Sequence, residues 1–456
     1  MSVQGNTITS GFIDLATFDE LEKYMYGGPD ATTYFHMGFK PSTWFTLVPT
    51  TLTTNSGTAQ FGREWSAAIS RAGDFLVHTW LRANIPSVTA RDTGTGACGL
   101  RWTHNFAHNL VKECQISFND LVAARFDSYY LDFWAAFTVP ASKRFGYNNM
   151  IGNTASLTNC GFANAGFALG NILPAFTINL PLPFFYTRDT GLALPTAALP
   201  YNEMRITFQF RDWKELLVAY VSDTAVGAPA QSSNIVEVGG QTATNIELSA
   251  CYVWAEYSLV SNDERKRMGC APRDILIEQV QTAPRTNFQL NKDNAVDIRF
   301  SHAVKLLLFG ARNSSVASEW SNYTIGSVSQ SGWVAPPNNV DTVSNATLLY
   351  ENTQRLAGLP ADYYSLVEPW YKAPTIPCET GYHMYSYSLN MYDVNPLGST
   401  NYGKLTNVTL NMRGVDPDAD NIEGTATLDG RWETVIIAVN HNVIRISGGA
   451  LGFPIL

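Results

Sequence analysis

Two histidines, His104 and His108, stand four residues apart, the spacing that puts two metal ligands on one helical face. A zinc-protease helix would carry glutamate directly after the first histidine, and here that residue is Asn105. The surrounding pattern is not clearly helical either, so both read as structural or solvent-facing histidines. Asp127 and Asp132 are five apart, which on a helix does not align two carboxylates on one stripe for acid–base work. Asp416, Asp418 and Asp420 resemble the opening of a calcium loop, but position six is Asn421 and position twelve is Thr427. Half of that ligand set is missing, and the stretch reads as an acidic surface loop. Gly448-Gly449-Ala450-Leu451-Gly452 is glycine-rich, yet no helix follows to turn N–H groups toward a phosphate. Neither a Gly-x-Ser-x-Gly elbow nor a Walker loop occurs. The residues offer no catalytic, cofactor or metal site, and a structural role is expected rather than an enzyme.

Composition points the same way. Charged residues make up 15% of the 456, against roughly 25% in ordinary soluble proteins, and aromatics 12%. Interfaces between proteins share this depletion of charge and enrichment in aromatics, although strands select Tyr, Phe, Trp and Thr on their own account. The net charge of −9 argues against direct packing of nucleic acid. The one dense basic run, Arg265-Lys266-Arg267, sits beside Asp263 and Glu264 and reads as a salt-bridged surface. The first residues lack a basic stretch followed by an apolar core, so no signal peptide is expected. No uninterrupted apolar run is long enough to cross a membrane. Six scattered cysteines without a Cys-x-x-Cys pair read as free thiols in a reducing cytosol. The sequons at Asn313, Asn322, Asn345 and Asn407 read as chance in a chain rich in Ser, Thr and Asn.

The elements are strands. Met204, Ile206, Phe208 and Phe210 alternate with Arg205, Thr207, Gln209 and Arg211, which is the period of a half-buried strand. The same alternation recurs at 296–301 and 385–392, so both halves read as antiparallel strands with one wet face. Further strands are expected at 43–48, 63–70, 75–83, 111–118, 248–257, 274–281, 304–311, 406–412, 435–439 and 443–446. Val122, Phe126, Tyr130, Phe133 and Phe137 recur at helical steps and predict a helix on the outside of a sheet, ended by Pro140. Polar stretches at 222–244, 313–345 and 413–430 read as surface loops, the first two on an outward face. The polar stretch 261–272 reads as a domain junction. Near the start, Thr17 and Glu20 have capping-box spacing, and Phe18, Leu21 and Met25 share one face of a short helix stopped by Gly27-Gly28-Pro29. The fold class expected is all-β: two tandem antiparallel jelly-roll sandwiches with a few short helices and an N-terminal arm. The bounds are 1–29 for the arm, 30–260 for the first sandwich, 261–272 for the junction and 273–456 for the second.

Several runs go further than pattern. Residues 9–14 (TSGFID), 19–28 (DELEKYMYGG), 42–49 (STWFTLVP), 119–144 (NDLVAARFDSYYLDFWAAFTVPASKR) and 194–213 (LPTAALPYNEMRITFQFRDW) resemble iridovirus major capsid proteins. So do residues 263–285, around ERKRMGC and DILIEQVQTAPR, and residues 398–408 (GSTNYGKLTNV) and 446–456 (ISGGALGFPIL). The resemblance runs in order along nearly the whole chain. It implies two tandem jelly rolls and a trimer whose six jelly rolls mimic a hexagon. Such trimers tile the outer icosahedral shell of large double-stranded DNA viruses with an internal membrane, assembled in the host cytoplasm. The partners implied are further copies of the chain, minor capsid proteins and penton proteins, without direct contact to nucleic acid. It also places the arm at the base of the capsomer, with Phe18, Leu21 and Met25 as candidate assembly contacts. Two alternatives remain from the residues alone: an enzyme or lectin on a β-sandwich, and another virion protein that binds a glycan or receptor.

Overall fold

The computed structural model of the chain describes residues 45–91, 99–158, 172–220, 228–270, 272–325, 340–416 and 431–453. The short helix with Phe18, Leu21 and Met25, and Asp418 and Asp420 of the acidic loop, lie outside these residues. The principal strands before residue 261 are β1 (Phe45–Thr51), β2 (Thr53–Gly57), β3 (Glu64–Ala68), β4 (Phe75–Ile85), β5 (Val111–Phe118), β6 (Leu121–Asp127), β7 (Phe176–Pro181), β8 (Met204–Phe210) and β9 (Ser249–Val260). They form two antiparallel sheets in the orders β1-β9-β4-β7 and β2-β3-β8-β5-β6. After residue 272 come β10 (Arg273–Thr282), β11 (Asp293–Ile298), β12 (Ala303–Asn313), β13 (Val343–Tyr350), β14 (Thr353–Pro360), β15 (His383–Ser386), β16 (Val408–Gly414) and β17 (Trp432–Ser447). Their sheets run β10-β17-β12-β15 and β11-β16-β13-β14, and shorter strands extend the edges. Among the described residues no strand of the first set pairs with one of the second. The principal helices are α1 (Phe106–Leu110), α2 (Ser128–Thr138), α3 (Ala141–Ile151), α4 (Asn262–Cys270) and α5 (Glu368–Lys372).

In β8 the alternation becomes burial: Met204, Ile206, Phe208 and Phe210 are buried and Gln209 is exposed. Trp65 of β3 stacks on Phe208, with ring centroids 5.5 Å apart. The second half departs from the expectation of one wet face. On β12, Leu307, Phe309 and Ala311 face the core of the second sandwich, while Leu306 and Leu308 join the core of the first half. On β17, Ile436 and Ala438 face one way and Val435, Ile437 and Val439 the other. Strand β12 and the 434–440 part of β17 are dry on both faces, which explains their apolar runs, whereas β17 alternates again beyond His441. Gly310 permits the close approach: a Cβ there would stand 2.8 Å from the Gly381 carbonyl oxygen and 3.1 Å from the Phe133 ring of α2.

Five expectations are corrected. The helix expected from Val122 begins at Ser128, because Asn119 (φ 54°) and Asp120 turn the chain back to pair β6 with β5. The Asp127 carboxylate then caps α2 by accepting from the Tyr130 N–H at 2.9 Å. Nor does α2 lie on the outside: every residue from Ser128 to Phe137 is buried. The strand expected over 385–392 stops at Ser386. There the side chains of Ser386, Ser388 and Asn390 each accept from the N–H two residues on, at 3.2, 3.4 and 2.9 Å, and this chain of local turns replaces the ladder. The polar segment 314–325 is not a surface loop, since Val316, Ser318, Glu319, Ser321, Asn322, Tyr323, Thr324 and Ile325 are buried. Residues 228–244 contain three short strands, Ala228–Pro229, Ile235–Val238 and Gln241–Thr242, rather than only loop. The polar stretch expected as a junction is the helix α4 between β9 and β10.

Phe208→Ala is expected to destabilise the protein by about 3–5 kcal/mol, through lost burial plus the cavity left behind. Gln209→Ala, on the wet face, is expected to stay within about 0.5 kcal/mol of wild type. Denaturant midpoints of both variants check this; equal shifts contradict the assignment of faces.

Candidate functional site

The residues that tie the two sandwiches together centre on α2. Asp132, fully buried on that helix, accepts four hydrogen bonds. Asn105 and His108 donate to Oδ1 at 3.1 and 2.7 Å from the first half. Ser321 and Tyr323 donate to Oδ2 at 2.7 and 3.1 Å from the second. The other nitrogen of His108, Nε2, lies 2.7 Å from the Tyr147 hydroxyl on α3. Phe133, one residue along, meets Tyr323 and Tyr382 edge-on, with centroids 5.1 and 5.0 Å away.

Glu319 makes the reciprocal contact. It comes from the second half, and its carboxylate enters the first. Arg101 donates to Oε2 at 2.6 Å, Thr103 to Oε1 at 3.1 Å and the His104 N–H to Oε1 at 3.3 Å. Burial alone would raise this carboxyl, but the Arg101 guanidinium, with His104, outweighs it and holds the group far below the usual carboxylate range. Next to it, Trp320 donates its ring N–H to the Glu215 carbonyl at 2.8 Å. The Arg211 and Arg312 guanidiniums, one from each half, lie 3.8 and 4.0 Å from its ring centroid. A third crossing joins Arg188 to Glu278 at 2.5 Å. Glu278 also pairs with Lys305 of β12 at 2.6 Å, which accounts for a lysine inside an apolar strand.

These contacts settle the residues singled out for chemistry. His104 and His108 turn to different carboxylates, because Asn105 between them adopts a left-handed conformation (φ 49°) just before α1. They do not share one face, and no group of three or more His, Cys, Asp or Glu able to hold a metal occurs among the described residues. Asp127 is a helix cap, and Asp132 a tie between halves. Within the basic run, Arg265 donates to both oxygens of Asp74 at 2.6 and 3.0 Å, and Arg267 pairs with Glu264 at 3.1 Å. The sequons at Asn313 and Asn322 are buried in hydrogen-bonded turns, so neither can carry a glycan in this fold. Cys114, Cys251 and Cys378 are free thiols; burial pushes Cys114 up and Cys251 up to about 12. Sequence reading missed Glu319 because it sits in a polar stretch that looks like any exposed loop.

The surface has two further features. A half-open cavity of about 720 Å³ is lined by Trp80, Trp134, Leu131, Met150, Pro181 and Tyr392 among others. Large apolar side chains are exposed on β1 and around α5, including Phe45, Leu47, Trp370 and Tyr371. No helix of the described residues is long and apolar enough to cross a membrane.

A buried scaffold with apolar outer faces is what a shell-building protein requires, and the comparisons decide the matter. The chain is 56% identical over its whole length to the major capsid protein of Costelytra zealandica iridescent virus, covering all of both chains. The chain belongs to the major capsid protein family. Residues 33–258 match the family "Major capsid protein N-terminus" and residues 264–452 the family "Large eukaryotic DNA virus major capsid protein". The major capsid proteins of Invertebrate iridescent virus 6 and Lymphocystis disease virus 1 are 51% and 44% identical, again over the full length of both chains. The fold is similar to that of the PBCV-1 virus capsid, with a TM-score of 0.71 at 21% identity over 93% of this chain and all of that one. The Faustovirus major capsid protein gives 0.65 at 14% identity, over 91% and 93%. The capsid protein is thus an all-β double jelly roll, a structural component of the virion and not an enzyme.

Glu319→Gln is expected to cost about 3–5 kcal/mol, because the buried Arg101 then faces a neutral amide. A carboxylate held low in the folded state stabilises fully above its unfolded value, about 4.3, and loses that contribution as pH falls toward the depressed folded value. Wild type should therefore lose more stability than Glu319→Gln between pH 5 and pH 3. Parallel urea titrations across that range check it, and curves of equal slope contradict the pairing.

Proposed function

We propose that this capsid protein trimerises into capsomers of near-hexagonal outline that tile the outer icosahedral shell of a large double-stranded DNA virus. The observation that carries the reading is full-length identity of 44–56% to iridescent and lymphocystis virus shell proteins. Two sandwiches per chain give a trimer six similar bodies around one axis, so a threefold assembly fills a sixfold lattice position. The sandwiches, bounded at 30–260 and 273–456 with a junction at 261–272, act as one rigid block because buried ion pairs cross between them. The net charge of −9 suits a shell separated from the genome by an inner membrane. Assembly takes place in the host cytoplasm, and minor capsid and penton proteins complete the shell. Phe18, Leu21 and Met25 dock the arm on protein at the base of the capsomer. An acidic helix with Asp19, Glu20 and Glu22 against Lys23 would be repelled by anionic lipid.

Light scattering of the purified protein should give three times the 50.2 kDa of one chain, with a near-hexagonal outline in negative stain. A stable monomer at micromolar concentration contradicts the reading. Deleting residues 1–25 should leave the trimer intact and impair shell assembly; a truncated chain that fails to fold assigns the arm to the core instead.

A further inference from the structure

Two exposed surfaces of the protein are built from apolar side chains without charged ones among them. The first is the run Phe45–Gly57, which supplies the edge strands of both sheets of the first sandwich, β1 and β2, joined through Leu52. Its thirteen residues contain no Asp, Glu, Lys or Arg. Leu52 is buried, whereas Phe45, Leu47 and Val48 are 53%, 45% and 42% exposed. Natural sheet edges are usually guarded by charged side chains. Here Pro49 on β1 and the irregular pairing at Thr54–Ser56 on β2 hinder strand addition without covering the apolar side chains. An edge of this kind calls for a cover made by side chains.

The second surface is the outer face of the helical turn Tyr363–Val367 and of α5. Leu366, Val367, Trp370 and Tyr371 fall at helical spacing on one side, and Trp370 and Tyr371 are 71% and 76% exposed. The only two charges in 363–372 are turned away from this face. Glu368 accepts from Lys372 at 2.7 Å and from the Ser386 N–H at 3.1 Å, and Lys372 donates to the Ser386 carbonyl at 2.7 Å. The Met391 N–H bonds to the Lys372 carbonyl at 2.9 Å, bringing the segment with Leu389, 74% exposed, alongside. The helix is therefore clamped from beneath and presents rigid aromatics outward. Aromatic anchors with charge excluded from their midst mark the energetic centre of an interface.

We propose that these two surfaces meet: the α5 face of one copy docks against the β1–β2 edge of a second copy. The inference rests on the trimer reading above and says which faces form it. A cyclic trimer closes only through a heterologous contact, in which each copy offers two different faces. The two faces described lie on different sandwiches of the same chain, and the charges near the first, Glu203 bonded to Asn55 and Glu256 beside Pro49, flank its apolar side chains rather than stand among them. Pro49 keeps the contact to side-chain packing, with Trp370 and Tyr371 against Phe45, Leu47 and Val48.

The test uses full-length chains in which the exposed Cys378 is replaced by Ser. One chain carries Leu47→Cys and the other Trp370→Cys, and the two are co-expressed and oxidised. The expected result is a disulfide between copies, located at the two substituted positions by peptide mapping. Separately, Trp370→Glu should convert the trimer to a species of one chain's mass with unchanged far-ultraviolet circular dichroism. If Trp370→Glu fails to fold, the cross-link alone decides. A wild-type trimer without the cross-link overturns this docking and leaves the trimer reading standing. A shell-assembly defect with an intact trimer and no cross-link also overturns it, and assigns α5 to a minor capsid protein or a neighbouring capsomer. A monomeric wild type overturns both.

Discussion

The structure depends on an exchange of buried carboxylates. The first sandwich gives Asp132 to donors on the second, and the second gives Glu319 to donors on the first. Neither group can be left alone, since an unpaired charge at that depth costs several kcal/mol. Asp132 keeps Asn105 and His108 from its own half, but its second oxygen, like the Glu319 carboxylate, finds its donors on the other half. Hydrophobic burial alone would hold the halves together without fixing their angle. Directional contacts to Asp132 and Glu319, reinforced by the Arg211 and Arg312 guanidiniums against Trp320, set that angle.

This explains features that would otherwise look out of place in a β protein. The helix α2 is buried because it carries Asp132 into the seam, and Gly310, lacking a Cβ, leaves room for the Phe133 ring against β12. Strand β12 and the 435–439 part of β17 bury apolar side chains on both faces because one face serves the second sandwich and the other the core of the first half. Lys305 survives in the middle of β12 because Glu278 meets it there, and Arg188 from the first half shares the same carboxylate. For a shell protein the consequence is mechanical. A capsomer built from two rigidly coupled bodies per chain transmits its geometry to its neighbours, which a flexible pair would not do.

Much of this was legible in the sequence where burial is one-sided. The alternation in β8 gave the buried apolar residues correctly, although Thr207 and Arg211 of the face read as wet are buried as well, and several other strands were found within a few residues of their ends. The readings that failed share a cause: each judged polarity or periodicity locally where a distant partner decides. The helical spacing from Val122 ignored the turn at Asn119 that makes β6 a strand. The alternation after Ser386 consists of serine and asparagine side chains that bond their own backbone and end the strand. Segment 314–325 is polar, yet buried, because its donors and acceptors are matched by residues some two hundred positions away. Glu319 could have been suspected only by asking what Arg101 pairs with.

Native-state hydrogen exchange tests the coupling of the two halves most directly. Amides of β5 and β8 in the first sandwich and of β12 and β17 in the second should open together, with one common free energy, because neither half can release its buried carboxylate partner alone. Exchange of the β12 and β17 amides at a free energy several kcal/mol below that of β5 and β8, with the first sandwich still protected, would show that the halves unfold independently and would contradict the account.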